Sequence, residues 1–237
     1  MPRIKQIHKW NVSYHEAVAI QNELREKVLF SPLKREIRTV AGADVSYDKH
    51  SDKLYASLVV LSFPALDVLE EVIVEEKAAF PYIPGLLSFR ETPIVVKAYE
   101  RLRTAPDVLV CDGQGVAHPR GLGLASHLGL LLGIPSIGCA KSRLCGVHGP
   151  VGPEVGDYAP LKDNGRTIGA VLRTRRAVKP VYVSVGHMVN LRGAIKLILA
   201  CGAGYRIPEP TRRAHHIVTM ARTKRKPLFV QSNESGE

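Results

Sequence analysis

The sequence predicts an α/β fold: a mixed sheet that opens with three antiparallel strands, continues with parallel ones, and is flanked by helices. Three observations predict it. Strand-like runs at residues 37–47, 54–63 and 68–79 follow one another across short links such as "SFPALD", the pattern of an antiparallel meander. The runs "PDVLVCDGQG" and "IPSIGCAKS" are apolar without alternation and enclose a helical stretch, as the strands of a parallel strand–helix–strand unit do. Apolar runs are spread along the whole length with no Ser/Gly linker, so residues 1–223 are expected to form one domain, followed by a basic then polar tail, 224–237.

Each element has its own signal. Ser13 and Glu16 make a capping box ahead of "HEAVAIQNELREKVLF", where Ala17, Ile20, Leu24 and Val28 recur at helical spacing and Pro32 follows the end. After the meander, "FPYIPGLLSFRETP" reads as a proline-punctuated loop. "PIVVKAYERLRT" then reads as a helix with Pro93 in its first turn, which puts Glu91 at a helix start. "GLASHLGLLLG" is the helix inside the parallel unit. A loop rich in Gly and Pro separates it from two further strands, "GRTIGAVLRT" and "PVYVSVGH", and two helices, "NLRGAIKLILAC" and "PTRRAHHIVTMAR".

Charge narrows the function. Thirty-three Lys and Arg against 22 Asp and Glu leave a net +11, an excess that favours polyanionic partners such as nucleic acid or acidic membranes. The N-terminal "MPRIKQIHKW" lacks an apolar signal core, and the richest apolar run contains His127, Pro135 and several glycines, so no membrane span is expected. Four cysteines without a CxxC give no zinc motif and suit a reducing cytoplasm.

Three carboxylates stand out by context. Asp44 interrupts the apolar strand "RTVAGADVSYD", Asp112 ends the strand "VLVCDG", and Glu91 follows the proline loop. Ligands of α/β sheets collect beyond the carboxyl ends of parallel strands, where Asp112 stands, and a central first strand beside it brings Asp44 near. Carboxylates so gathered repel one another and raise their own pKa. A hard divalent cation quenches that repulsion, and Mg²⁺, with one or two carboxylates and phosphate oxygens around it, supports phosphodiester hydrolysis. Read singly, each residue also has a plainer role: an ion-paired Asp44, a helix-start Glu91, an Asp112–Gly113 turn.

At this point the chain resembles a known family. "VAGADVSY", "PYIPGLLSFRE", "DVLVCDGQGVAHPRGLGLASHLG", "IPSIGCAKSRL", "GHMVNL" and "RIPEPTR" are similar to successive motifs of endonuclease V. The resemblance covers nearly the whole chain. It implies a ribonuclease H-like fold and Mg²⁺-dependent DNA repair (with Mn²⁺ as a substitute): hydrolysis of the second phosphodiester bond 3′ to deoxyinosine, with the lesion left in the nicked strand.

Carried over residue by residue, the resemblance implies that Asp44, Glu91 and Asp112 serve the metal centre, and that Lys141 of "AKS" holds phosphate or orients water. Pro81, Tyr82, Ile83 and Pro84 resemble the family's wedge, whose aromatic ring enters the base stack where a nucleotide leaves. Gly85, Leu87, Gly113, Gly123, Gly138 and Leu144 match its base pocket. His118 resembles a histidine near the reaction centre that contacts phosphate or water, with a structural role as the alternative. On the last helix, Ala214, Ile217, Val218 and Ala221 set the buried stripe. His215 flanks that stripe and His216 points away, so His215 is expected near the metals. Many members of the wider fold place an acid on this helix, which leaves direct ligation by His215 open.

The expected partners are DNA with deoxyinosine or other deaminated bases, with inosine RNA as the alternative substrate; the chain is expected to act as a monomer. Two other classes compete. A nucleotide-binding enzyme is disfavoured because "DGQGVAHPRGLG" matches neither GxGxxG nor a P-loop. A non-catalytic nucleic-acid binder would use the basic surface and ignore the acids.

Overall fold

The computed structural model describes residues 4–33, 36–48 and 51–223; the expected tail, 224–237, lies outside the described residues. The capping box forms as the sequence predicts: the Ser13 amide donates to Glu16 Oε2 (2.7 Å) and the Glu16 amide to Ser13 Oγ (3.3 Å). It starts helix α1, Tyr14–Leu24, which closes in a 3₁₀ turn, Arg25–Lys27, earlier than the apolar spacing suggests. The meander follows as β1 (Thr39–Tyr47), β2 (Lys53–Ser62) and β3 (Val68–Lys77), paired antiparallel in sequence order.

Helix α2 runs Leu87–Glu100, so "LSFRET" is helix rather than loop, Pro93 stands in the second turn, and Glu91 is interior to the helix. No side chain caps its start. Packing supplies the missing signal, because Phe89 is buried against Ala17, Phe80 and Leu86 and holds the first turns in place. Strand β4 (Val108–Cys111), helix α3 (Leu124–Leu132) and strand β5 (Ser136–Ala140) form the expected parallel unit.

Next come β6 (Tyr158–Asp163), β7 (Arg166–Leu172) and β8 (Val181–His187), then α4 (Leu191–Ala200) and α5 (Glu209–Arg222). Strand β6 falls in the Gly/Pro-rich stretch expected to be loop. It holds Pro160, which an edge strand tolerates because one side of its backbone needs no partner.

The eight strands form one sheet, ordered β3-β2-β1-β4-β5-β8-β7-β6. β1, β4 and β5 are mutually parallel at its centre; beyond β5 the sheet continues antiparallel. Alternate residues of the central strands enter two cores. Ala41, Ala43, Leu109 and Cys111 pack under α2 and α3, while Val40, Val108, Val110, Ile137 and Cys139 pack with α4. Burial on both faces explains why these strands read as continuous apolar runs. The edges differ: β3 is largely exposed and rich in charge (Glu70, Glu71, Glu75, Glu76, Lys77). Among the described residues, no helix is long and apolar enough to cross a membrane.

Helix α5 lies across β1 and β2. Ala214 and Ile217 pack on Val59 and Leu61, and Ser57 Oγ donates to the Ala214 carbonyl (2.7 Å). Its first turn touches the backbone of β1 directly, since a Cβ at Gly42 would sit 2.0 Å from the Pro210 carbonyl oxygen. Gly42→Ala is therefore expected to destabilise the fold by ~1–3 kcal/mol, the usual range for overpacking. A denaturant midpoint below that of the parent checks it. A parental midpoint would mean that α5 can lift without loss.

Candidate active site

Strand register brings the acids together. Ala43 pairs with Cys111 across the parallel β1–β4 ladder, and the Asp112 amide donates to the Ala43 carbonyl (3.0 Å). Asp44 and Asp112 are thus the next rungs of adjacent strands. Asp44, buried in mid-strand, accepts the Val45 amide at Oδ1 (2.9 Å) and lies 2.7 Å from His215 Nδ1 at Oδ2. Asp112 stands just past the end of β4 and forms an ion pair with Lys141, which follows β5.

Asp44, Asp112 and His215 each offer one ligand atom, all within 4.8 Å of one another. Glu91 reaches the same region from α2. Burial, with Asp44 and then Asp112 close by, pushes its carboxyl up to about 8. Burial and the Asp44 charge likewise raise Asp112, against the lowering pull of Lys141. Such a cluster is built to receive positive charge. Two or three carboxylate oxygens suit a hard divalent cation. His215, bonded to Asp44, is placed to orient that carboxylate.

Beside the cluster opens a cavity of about 400 Å³. Of the residues expected in the wedge and base pocket, Tyr82, Ile83, Pro84, Gly85, Leu87, Gly113, Gly123 and Leu144 line it, together with Glu91, Asp112, His118 and Lys141. Two do not. Pro81 precedes the lining, and Gly138 lies beneath the 113–115 turn: a Cβ there would meet the Gly115 nitrogen at 2.4 Å and the Gly113 oxygen at 2.7 Å. Gly138 lets that turn settle onto β5 instead of facing a base.

Tyr82 is 64% exposed, a large ring held out at the cavity mouth. Burial, then the nearby Arg120 charge, lowers the pKa of His118 to about 4. Its ring is neutral at pH 7, and Nδ1 accepts the Arg120 amide (3.2 Å). His118 is an uncharged cavity wall.

The sequence reading missed Ser88, Gln114, Leu124, Ala140, Ser142 and Arg143 of the lining. Gln114 is buried and its Nε2 donates to the Ser142 carbonyl (3.0 Å), tying the loop after β4 to the loop after β5. The only sequence signal was its place between two glycines in "DGQG".

Comparison with known proteins adds an independent finding. The endonuclease V family model matches residues 22–216. The endonuclease V of Roseiflexus sp. is 49% identical over 216 residues, 91% of this chain and 96% of that protein. The endonuclease V crystal structure from Streptomyces avermitilis is 43% identical with a TM-score of 0.87, covering 94% of this chain and 98% of that one. The Ciona intestinalis endonuclease V, solved with a 24-mer DNA containing an inosine followed by a ribo-adenosine, is 29% identical with a TM-score of 0.79, covering 90% and 98%. With the family model spanning most of its length and close relatives matched almost end to end, the chain belongs to the endonuclease V family.

Proposed function

We propose that this nuclease is a DNA-repair enzyme that recognises deoxyinosine and hydrolyses the second phosphodiester bond on its 3′ side, with Mg²⁺ as the cofactor. The observation that carries the reading is the junction of an acid cluster with a base-sized cavity under an exposed aromatic ring. A relative solved with inosine-containing DNA supports the choice of substrate.

The residues divide the work. Tyr82, stiffened by Pro81 and Pro84, fills the gap left when a nucleotide leaves the stack, offsetting part of a cost of roughly a few kcal/mol. The extruded base enters the cavity between Leu87 and Leu144, with Gly113 and Gly123 on its wall; the Gly123 amide itself donates to the Gly115 carbonyl (2.9 Å). Asp44, Asp112 and Glu91 would hold the cation, with His215, bonded to Asp44, fixing the orientation of that carboxylate. When bound, a divalent cation supplies the positive charge that activates water and stabilises the leaving oxygen. Lys141, paired with Asp112 at the cavity wall, would place its ammonium beside the scissile phosphate.

The test is a labelled oligonucleotide with one deoxyinosine, incubated with Mg²⁺ or with chelator. One nick, two bonds 3′ of the inosine and lost in chelator, is the expected result; cutting that ignores the inosine overturns the reading. Affinity for the substrate should fall steeply with salt as phosphate contacts release counterions. The ribonucleotide beside the inosine in the Ciona ligand favours a second reading, an inosine-specific ribonuclease, so a matched RNA strand belongs in the same assay. Faster cutting of the RNA selects that reading.

A further inference from the structure

The exposed ring of Tyr82 sits on a segment pinned at both ends. Upstream, Phe80 is buried against Phe89 with ring centroids 5.7 Å apart, and its carbonyl accepts Arg90 Nη1 (2.7 Å). Downstream, the Leu86 amide closes a turn on the Ile83 carbonyl (2.9 Å), and Gly85 takes a left-handed conformation, φ +79°. The Gly85 carbonyl then receives Gln21 Nε2 (3.0 Å) and Arg120 Nη2 (2.5 Å), and the His118 ring also bonds the Gly85 backbone.

Gln21 is the centre of this arrangement. It lies on α1, wholly buried, at a position where the helix stripe calls for an apolar side chain. All of its amide is used: Nε2 also donates to the Leu122 carbonyl (3.1 Å), and Oε1 accepts Arg120 Nε (2.5 Å). One side chain therefore bonds both the downstream end of the Tyr82 segment and the 112–123 loop that begins at Asp112. A buried amide with every hydrogen bond made is a rigid connector, because any displacement leaves a polar atom unpaired.

We infer that Gln21, with Arg120, is a positioning residue that sets the distance between the point where Tyr82 opens the strand and the point where Asp112 helps cut it, and so fixes which phosphodiester bond is broken. The inference rests on the reading given under Proposed function. It deepens that reading by assigning the choice of bond to a tie outside the reaction centre. Neither side chain of the tie belongs to the acid cluster. A connector that fixes spacing changes where the cut falls, whereas a residue that merely supports the fold changes how much enzyme is folded.

Gln21→Met keeps the shape and removes all three hydrogen bonds; Arg120→Met removes the second donor and the contact with Gln21. Two readouts apply to each. Hydrogen exchange of peptides covering 80–86 and 113–123 should quicken by about fivefold or more, while peptides of α4 stay at the parental rate. On the inosine oligonucleotide, the single product should become a mixture cut at adjacent bonds, with KM raised more than kcat is lowered. If Gln21→Met does not fold, Arg120→Met answers both questions. Parental exchange at 80–86 in a folded variant, or one product at the parental position with parental KM, overturns the inference. A parent that ignores inosine overturns the functional reading instead, and the exchange result still decides whether the tie is rigid.

Discussion

Asp112→Asn is expected to reduce Mg²⁺-dependent cleavage by on the order of 10³-fold or more, the scale seen when a charge-stabilising group leaves a reaction centre, while the protein stays folded. Asp112 is the acid best placed to serve a cation. It terminates a central parallel strand, neighbours Asp44 through the β1–β4 register, and is half-buried with its pKa already raised by desolvation and by that neighbour. Its removal leaves no hole, since asparagine has nearly the same volume, and it relieves one like-charge repulsion. Binding of the inosine strand should therefore be retained or tightened, because a negative charge has left a site that receives phosphate.

Gel shift and cleavage on the same preparation read the two effects separately. A variant that still cuts within tenfold of the parent would remove Asp112 from the chemistry. The same substitution also decides against a non-catalytic nucleic-acid binder, for which the parent itself would never cut.

Glu91→Gln is expected to make the cation-free protein more stable, and increasingly so as pH rises from 5 to 8. The sign follows from the direction of the shift. Glu91 is held up to about 8 in the fold, against an ordinary 4.5. Below pH 4.5 it is protonated folded or unfolded and costs nothing. As pH climbs, the unfolded chain gives up the proton while the folded one keeps it, so each unit withdraws about 1.4 kcal/mol of stability until the folded group ionises near pH 8. Asp112 adds to the same slope.

Glutamine removes the Glu91 share. Near pH 8 in chelator the variant should melt several degrees above the parent, using the rough 2–4 °C per kcal/mol of a chain this size. Millimolar Mg²⁺ or Mn²⁺ should then raise the parent's Tm more than the variant's, since the cation stabilises the carboxylate that glutamine lacks. Identical pH slopes in chelator for the two proteins would show that the Glu91 carboxyl is not held protonated by its surroundings.

Much of this was legible in the residues because it depends on local pattern or on strand order. The meander followed from three consecutive strand runs, and the β4–α3–β5 unit from two unbroken apolar runs around a helix. The meeting of Asp44 and Asp112 followed from placing the first strand beside the fourth. His215 was picked out from His216 by helical phase, and it is His215 that lies against Asp44.

What escaped depended on distant contacts. Helix α2 begins at Leu87 because Phe89 packs under α1, which no capping residue announces. Strand β6 hid behind Pro160, whose tolerance depends on being at the sheet's margin. Gly138 matched a motif, yet its small size serves the crossing of another loop. Gln21 and Gln114 bond to carbonyls of residues far along the chain, and an amide side chain carries no periodic trace of such a partner.

The two outermost strands have a consequence beyond the reaction. An open sheet offers a row of unclaimed amides and carbonyls on each flank, and a neighbouring molecule can extend it like a zipper. Here one flank bristles with glutamates and a lysine, and the other is interrupted by a proline that has no amide hydrogen to give. Concentrated solutions should therefore resist fibrillar stacking through either flank of the sheet.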